Sequence, residues 1–331
     1  MPAAGSTTNK SDRADKTLFA TVSENHINSV SQSHESEANA MKTDDIKKIC
    51  VVGAGNMGHQ IALLCAMYGY KTTCTDIVEE QLKKAENFAD TYLPGRVKKG
   101  KLTEEQAKQA RANLSFTTSL QEAVKDADYV IEAAIEVLNI KRKVFADLDK
   151  FAPAHAILAT NSSAIVSSRI ADATKRPDKV VNLHFFNPAL VMKLVEVVKG
   201  PHVSDETAQI SMDLCRKLEK VPVLLKKEVD GFVVNRILGA LTREALWLHE
   251  MGVATAEDID NAMVYGAGHP MGPFRLMDLI GVDLQYTLDI EKFKKTGNPC
   301  DLPYPSVVKL YTEGRHGQKA GKGWYEYPEK K

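Results

Sequence analysis

The chain has 331 residues, with 43 basic and 43 acidic side chains, about twice the length of a ~150-residue domain, so two domains plus extra chain are expected. Hydrophobic residues at 44% and charged residues at 26% exclude a wholly disordered, collagen-like or coiled-coil protein. The balanced charge argues against a polycation that coats nucleic acid or an anionic membrane, so any anionic ligand must be met locally.

Residues 1 to 40 hold seven serines and four threonines, with few large apolar residues and no sustained period. They read as a disordered tail. A mitochondrial presequence would be Arg-rich and acid-poor, whereas this segment has Arg13 against Asp12, Asp15, Glu24, Glu35 and Glu37. A cytoplasmic location is therefore expected ahead of the mitochondrial matrix. Cys50, Cys65, Cys74, Cys215 and Cys300 are odd in number and scattered, and no Cys-x-x-Cys suggests zinc. Reduced thiols and no metal are the expectation. The longest strongly apolar stretch, Ile61 to Tyr68, is far short of the ~20 residues that cross a bilayer.

From Asp45 onward, short β-rich runs alternate with helical stretches, the pattern of a parallel sheet with crossover helices. The expected strands are Ile49 to Val52, Thr72 to Thr75, Tyr129 to Ala133, Ile157 to Thr160, Val180 to Phe185 and Leu194 to Val198. Thr103-Glu104-Glu105-Gln106 has the spacing of a capping box at a helix start. After Val221-Pro222-Val223-Leu224-Leu225 the β-rich runs stop. Val234, Leu238, Leu241, Ala245 and Leu248 then mark a long helix with one apolar stripe. Asp230 is a candidate N-cap for it, and Thr255 for a later helix. The expected organisation is a tail over 1–40, an α/β domain over 41–226 and a helical domain over 227–331.

Gly53-Ala54-Gly55-Asn56-Met57-Gly58 follows the first strand and leads into Ile61, Ala62, Leu64 and Cys65 at helical spacing. In that context Gly53 permits the tight turn, Gly55 leaves room for a pyrophosphate, and Gly58 lets helix and strand approach. The helix start then offers N–H donors to phosphate. Asp76 closes the second strand 18 residues after Gly58. A carboxylate there accepts from ribose hydroxyls and repels a 2′-phosphate, which favours NAD over NADP. The fold expectation is a Rossmann-type, doubly wound, mainly parallel sheet followed by an all-helical domain.

Oxidising an alcohol releases a hydride and a proton, and histidine is the natural acceptor of the proton near neutral pH. His184 ends a strand of buried character and precedes Phe185-Phe186-Asn187-Pro188. Glu196 lies 12 residues on within Leu194-Val195-Glu196-Val197-Val198, and an ionised carboxylate in an apolar strand demands a partner. Each also has a plainer reading: a satisfied structural histidine, and a glutamate facing solvent by alternation. Asn161-Ser162-Ser163, at another strand end, adds polar groups of the kind that often only cap a turn.

These segments, together with Met192-Lys193-Leu194-Val195-Glu196-Val197 and Gly231-Phe232-Val233-Val234-Asn235-Arg236, resemble the L-3-hydroxyacyl-CoA dehydrogenase family, in its stand-alone 3-hydroxybutyryl-CoA form. The resemblance runs from about Ile46 to Tyr327. It implies NAD-dependent oxidation of an (S)-3-hydroxyacyl-CoA to the 3-oxoacyl-CoA, a place in fatty-acid β-oxidation, and a homodimer. It implies that His184 is the general base, that Glu196 orients it, and that Ser163 and Asn235 bind substrate oxygens. Asn56, Met57, Glu136, Lys141, Asn161, Asn187 and Lys319 would join the glycines and Asp76 at the cofactor. Lys99, in the basic run of Arg96, Lys98, Lys99 and Lys101, would meet the CoA moiety. Where the family usually has proline before Gly231, this chain has Asp230. Two alternatives remain: a dehydrogenase of a free sugar acid, similar to L-gulonate dehydrogenase or lambda-crystallin, and a non-enzymatic NAD-binding or structural protein.

Overall fold

A computed structural model describes residues 42–328, so the tail reading for 1–40 lies outside the described residues. The chain divides into two units, Met1–Asp45 and Ile46–Lys331. In the first, the described residues form a single 3-10 turn, Thr43–Asp45.

The second unit begins with strand β1 (Lys48–Val52), helix α1 (Gly58–Met67) and strand β2 (Lys71–Thr75). Helices α2 (Glu79–Lys98) and α3 (Glu104–Ala112) lead to β3 (Leu114–Thr117), and α4 (Leu120–Val124) leads to β4 (Tyr129–Glu132). Then come α5 (Leu138–Phe151), β5 (Ile157–Thr160), β6 (Val180–Phe185), β7 (Leu194–Val198), α6 (Asp205–Lys217) and β8 (Val221–Leu225). The eight strands form one sheet in the order β3-β2-β1-β4-β5-β6-β7-β8. Pairing is parallel except between β6 and β7. The six expected strands are present. The expected set lacked two strands: β8, whose Val221–Leu225 run was named only as the last β-rich stretch, and β3, a four-residue strand at the sheet edge with one buried residue.

Local chemistry starts two helices as expected. Gln106 N–H donates to Thr103 Oγ1 at 3.1 Å, and Thr103 N–H to Gln106 Oε1 at 2.9 Å, completing the capping box. Thr255 Oγ1 likewise accepts from Asp258 N–H at 3.1 Å. Helix α1 is buried on more than its expected stripe, with Leu63 and Ala66 joining Ile61, Ala62, Leu64 and Cys65, because it packs on β1 and β2 and beneath α3. On the other side, Phe145 and Leu148 of α5 are fully buried against Cys50, Val130 and Leu158. Each such side chain contributes about 1.5–3 kcal/mol of burial.

After β8 the chain is helical: α7 (Val234–Glu250), α8 (Ala256–Asn261), α9 (Pro273–Ile280), α10 (Val282–Thr296) and α11 (Pro305–Thr312). These enclose a core of Leu246, Ile259, Phe274, Met277, Val282 and Val307. Asp230 does not cap α7. Gly231 at φ 75° and Phe232 at φ 49° turn the chain between it and the helix, and the Asp230 carboxylate pairs with Lys295. A glutamate of the sheet takes its place.

Candidate active site

The parallel strands β1, β4, β5 and β6 end on the same edge of the sheet, where a doubly wound fold places its ligands. At the end of β1, Gly53 has φ 100°, and a Cβ on it would stand 2.7 Å from the Ala133 carbonyl oxygen. A Cβ on Gly58 would stand 1.7 Å from the Gly53 carbonyl oxygen. These two positions are glycine because backbone already fills the space. Gly55 differs: nothing lies within 4 Å of the Cβ it lacks. The chain therefore leaves room beside Gly55 for something other than itself, as a bound pyrophosphate requires.

Asp76, just after β2, accepts from Ala54 N–H at 2.8 Å through Oδ2 and from Val78 N–H at 2.9 Å through Oδ1. Those bonds fix the carboxylate beside the glycine loop. Asn56, on the loop, donates through Nδ2 to Asn187 Oδ1 at 3.1 Å, joining the loop to the turn after β6. Asn161 Oδ1 accepts from Phe185 N–H at 2.9 Å, tying the ends of β5 and β6 together. Ser163 is exposed two residues on.

A polar network, buried at Glu132, Lys141, Thr160, Ser162 and Asn182 and exposed at Glu136, lies behind this edge. Glu132, at the end of β4, accepts from Lys141 Nζ at 2.7 and 3.0 Å, from Thr160 Oγ1 at 2.7 Å and from Ala134 N–H at 2.7 Å. Lys141, expected to touch the cofactor, is 1% exposed and is a buried partner of Glu132. Glu136 accepts from Ser162 Oγ and from the Ala164 N–H at 3.1 Å, and lies 3.3 Å from Lys141 Nζ. Burial pushes the Glu136 carboxyl up, but the Ser162 bond and the Lys141 charge more than offset this and hold it below the ordinary glutamate value. Asn182 accepts from Ser167 N–H at 2.6 Å and donates to the Ile165 carbonyl at 3.2 Å, so the turn that carries Ser163 is held by β6 as well as by Glu136. Glu132, Thr160 and Asn182 were missed in the sequence. For Glu132 the signal was available, since a charged residue closing Tyr129-Val130-Ile131 raises the same demand for a partner as Glu196 does.

His184 and Glu196 are directly opposite in the antiparallel pairing of β6 and β7. His184 Nδ1 and Glu196 Oε2 are 2.9 Å apart. A carboxylate oxygen only accepts, so Nδ1 carries the hydrogen, and in the neutral ring the lone pair is then on Nε2. The imidazole lies between Phe186 and Phe232, with centroid distances of 4.6 and 5.4 Å. The other oxygen, Oε1, accepts from Val233 and Val234 N–H at 3.0 Å each, which supplies the cap of α7. Asn235 is exposed on the first turn of that helix. The structure thus gathers the glycine loop, Asp76, Asn161, Asn187, His184 and Glu196, with α7 anchored on the last of these.

Two candidates stand apart. Lys319 pairs with Asp283 at 2.7 Å and borders a cavity of about 700 Å³ with Arg275, Gln318, Glu326 and Tyr327. Lys99 is exposed at the end of α2, where basic residues also complement the helix dipole. Among the described residues no cluster of His, Cys, Asp and Glu is arranged to hold a metal ion, and no helix is long and apolar enough to cross a membrane.

Residues 48–229 match the model of the 3-hydroxyacyl-CoA dehydrogenase NAD binding domain, and residues 231–327 that of the same family's C-terminal domain. The chain belongs to the 3-hydroxyacyl-CoA dehydrogenase family. Its Rossmann domain is thereby an NAD-binding domain, and the helical part is the family's C-terminal domain. Among relatives of this dehydrogenase, human mitochondrial hydroxyacyl-coenzyme A dehydrogenase is 39% identical over 315 residues, 93% of this chain and 100% of that one. The 3-hydroxybutyryl-CoA dehydrogenase of Clostridioides difficile is 38% identical over 280 residues, 85% of this chain and 99% of that one. The crystal structure of (S)-3-hydroxybutyryl-CoA dehydrogenase from Ralstonia eutropha superimposes with a TM-score of 0.80 at 35% identity, over 86% of this chain and 100% of that one.

Proposed function

We propose that this dehydrogenase oxidises (S)-3-hydroxyacyl-CoA reversibly to 3-oxoacyl-CoA, with short-chain 3-hydroxybutyryl-CoA as its substrate. The observation that carries the reading is the buried His184–Glu196 contact of 2.9 Å, which leaves imidazole Nε2 as the free proton acceptor at the edge of the NAD-binding sheet. When bound, NAD supplies the hydride acceptor. Gly53, Gly55, Asn56, Met57 and Gly58 hold its phosphates and Asp76 its ribose hydroxyls, with Asn161 and Asn187 toward the reacting end. Glu136 borders the cofactor, and Lys141 acts from behind through Glu132 and Glu136.

His184 Nε2 takes the C3 hydroxyl proton, and the Glu196 carboxylate stabilises the imidazolium that forms. In the reverse direction the same nitrogen returns the proton. Phe186 and Phe232 keep water from the imidazole. Ser163 and Asn235 hold the substrate oxygens, Ser163 on the thioester carbonyl side. Exposed Lys98, Lys99 and Lys101 meet the CoA phosphates. The domains are taken as 41–226 and 227–331, with the base on the first and Asn235 on the second.

A homodimer is part of this reading, supported by exposed apolar side chains on the helical part, among them Ile237, Trp247, Met251, Leu284 and Leu288. So is a cytoplasmic site of action. NADH absorbance followed with acetoacetyl-CoA, longer 3-oxoacyl-CoAs and L-gulonate in parallel tests the substrate. Turnover of the short thioester is expected, and folded protein that turns over only the sugar acid overturns the reading. His184→Gln is expected to lower kcat by about 10²–10⁴-fold with NAD binding kept.

A further inference from the structure

The turn between β6 and β7 bears Asn187 on an exposed surface, yet its backbone is held from beneath. Lys220, between α6 and β8, is 7% exposed. Its ammonium donates to the carbonyl of Ala189 at 2.6 Å and to that of Met192 at 2.9 Å. Both acceptors are main-chain carbonyls of one short turn. Burying an ammonium against carbonyls alone is costly. Burial, helped by nearby Lys193, accordingly lowers the Lys220 pKa from its ordinary value.

The same turn is gripped from the cofactor side. Val191 and Met192 N–H both donate to the Pro188 carbonyl at 2.9 Å, which closes the turn on itself. Leu190 N–H donates to Gln60 Oε1 at 3.5 Å. Gln60 Nε2 donates in turn to the Asn56 carbonyl at 3.0 Å, and Asn56 Nδ2 to Asn187 Oδ1 at 3.1 Å. A circuit of hydrogen bonds therefore runs from Lys220 through the turn to Gln60, the glycine loop and back to Asn187. Apart from Lys220, its side chains come from the loop, the start of α1 and the turn itself.

We propose that Lys220 is a positioning residue for NAD: it fixes the Pro188–Met192 turn so that Asn187 meets Asn56 and the glycine loop before the cofactor arrives. The inference rests on reading this edge as the NAD site. Its effect is preorganisation, so losing it weakens cofactor binding more than it slows proton transfer. His184 and Glu196 stand on paired strands, not on the turn, and keep their contact without Lys220.

The test compares Lys220→Met and Lys220→Arg in the full chain, with NAD titrated calorimetrically in the absence of substrate. For Lys220→Met the dissociation constant and KM for NAD are expected to rise about fivefold or more, with KM for acetoacetyl-CoA and kcat at saturating cofactor within about twofold. Lys220→Arg, which keeps the charge and donors, is expected to restore most of the affinity. A fall in thermal stability with NAD affinity unchanged in the folded protein overturns the proposal. Should Lys220→Met not fold, Lys220→Gln carries the same comparison, with the same outcome deciding. Wild-type protein that binds NAD but turns over no acyl-CoA thioester removes the substrate reading and leaves this one standing.

Discussion

Glu196 and His184 face each other across the single antiparallel pairing of the sheet, and Glu196 divides its carboxylate between His184 and the start of α7. One oxygen meets His184 Nδ1 at 2.9 Å, while the other accepts two backbone N–H groups of α7 at 3.0 Å each. The side chain that sets the tautomer of His184 thus also anchors the helix that carries Asn235.

That division predicts different outcomes for two substitutions. In Glu196→Gln the amide oxygen turns to Val233 and Val234, which need an acceptor, so the NH2 group faces His184 Nδ1. The ring must then accept there and carry its proton on Nε2, where it is useless as a base. Folding is expected to survive, with kcat lower by about 10²–10⁴-fold. Glu196→Ala leaves the N–H groups and the imidazole without a partner, and is expected to cost about 2–4 kcal/mol of stability as well. Chemical denaturation beside steady-state kinetics separates the two. Equal stability loss in both variants would refute the assignment of the oxygens.

The glycine loop predicts a second contrast. Ala at position 58 brings Cβ to within 1.7 Å of the Gly53 carbonyl oxygen, so Gly58→Ala is expected to cost about 3 kcal/mol or abolish folding. Ala at position 55 meets nothing within 4 Å, and Gly55→Ala should change cofactor-free stability by less than about 0.5 kcal/mol. In the proposed cofactor site the methyl group occupies the place of the pyrophosphate, and NAD affinity is expected to fall at least about tenfold. Thermal melts with and without NAD read both effects.

Lys141 and Glu132 are both buried and 2.7 Å apart. Lys141→Met strands a buried carboxylate, and a loss of about 3–5 kcal/mol is expected. Adding Glu132→Gln removes the stranded charge while the amide oxygen still accepts from Ala134 N–H and the NH2 group donates to Thr160 Oγ1, so the double variant should regain most of the loss. A denaturation midpoint for Lys141→Met close to that of the wild type would show that the pair contributes nothing.

Glu136 sets a pH dependence whose sign follows from its lowered pKa. The folded state holds this carboxyl ionised below the ordinary value of 4.5, so the unfolded chain takes up its proton first as pH falls. The stabilisation is present above that value and disappears as pH drops through the folded pKa. Glu136→Gln should therefore melt below the wild type at about pH 7 and converge with it in acid. A difference in melting temperature that stays constant from about pH 7 to pH 3 would contradict this.

What the sequence determined by itself is the chemistry that depends on near neighbours. The capping box at Thr103, the strand, glycine loop and helix at Gly53 to Gly58, and the acid at Asp76 were legible because their bonds close within a few residues or follow from the order of one βαβ unit. His184 and Glu196 were legible as candidates through their unusual company, polar groups in apolar strands.

Only the tertiary structure decided which candidates meet. The pairing of His184 with Glu196 depends on β7 running against β6, and no local period specifies that reversal. Asp230 looked like a helix cap by position, but two left-handed residues separate it from the helix and the cap came from a strand 37 residues earlier. Lys141 was expected at the cofactor and no local pattern marked Lys220, yet packing drew both inside, one to a carboxylate and the other to carbonyls. A charge reads as exposed until the fold supplies a partner that offsets its desolvation, and such partners here lie far from it in the chain.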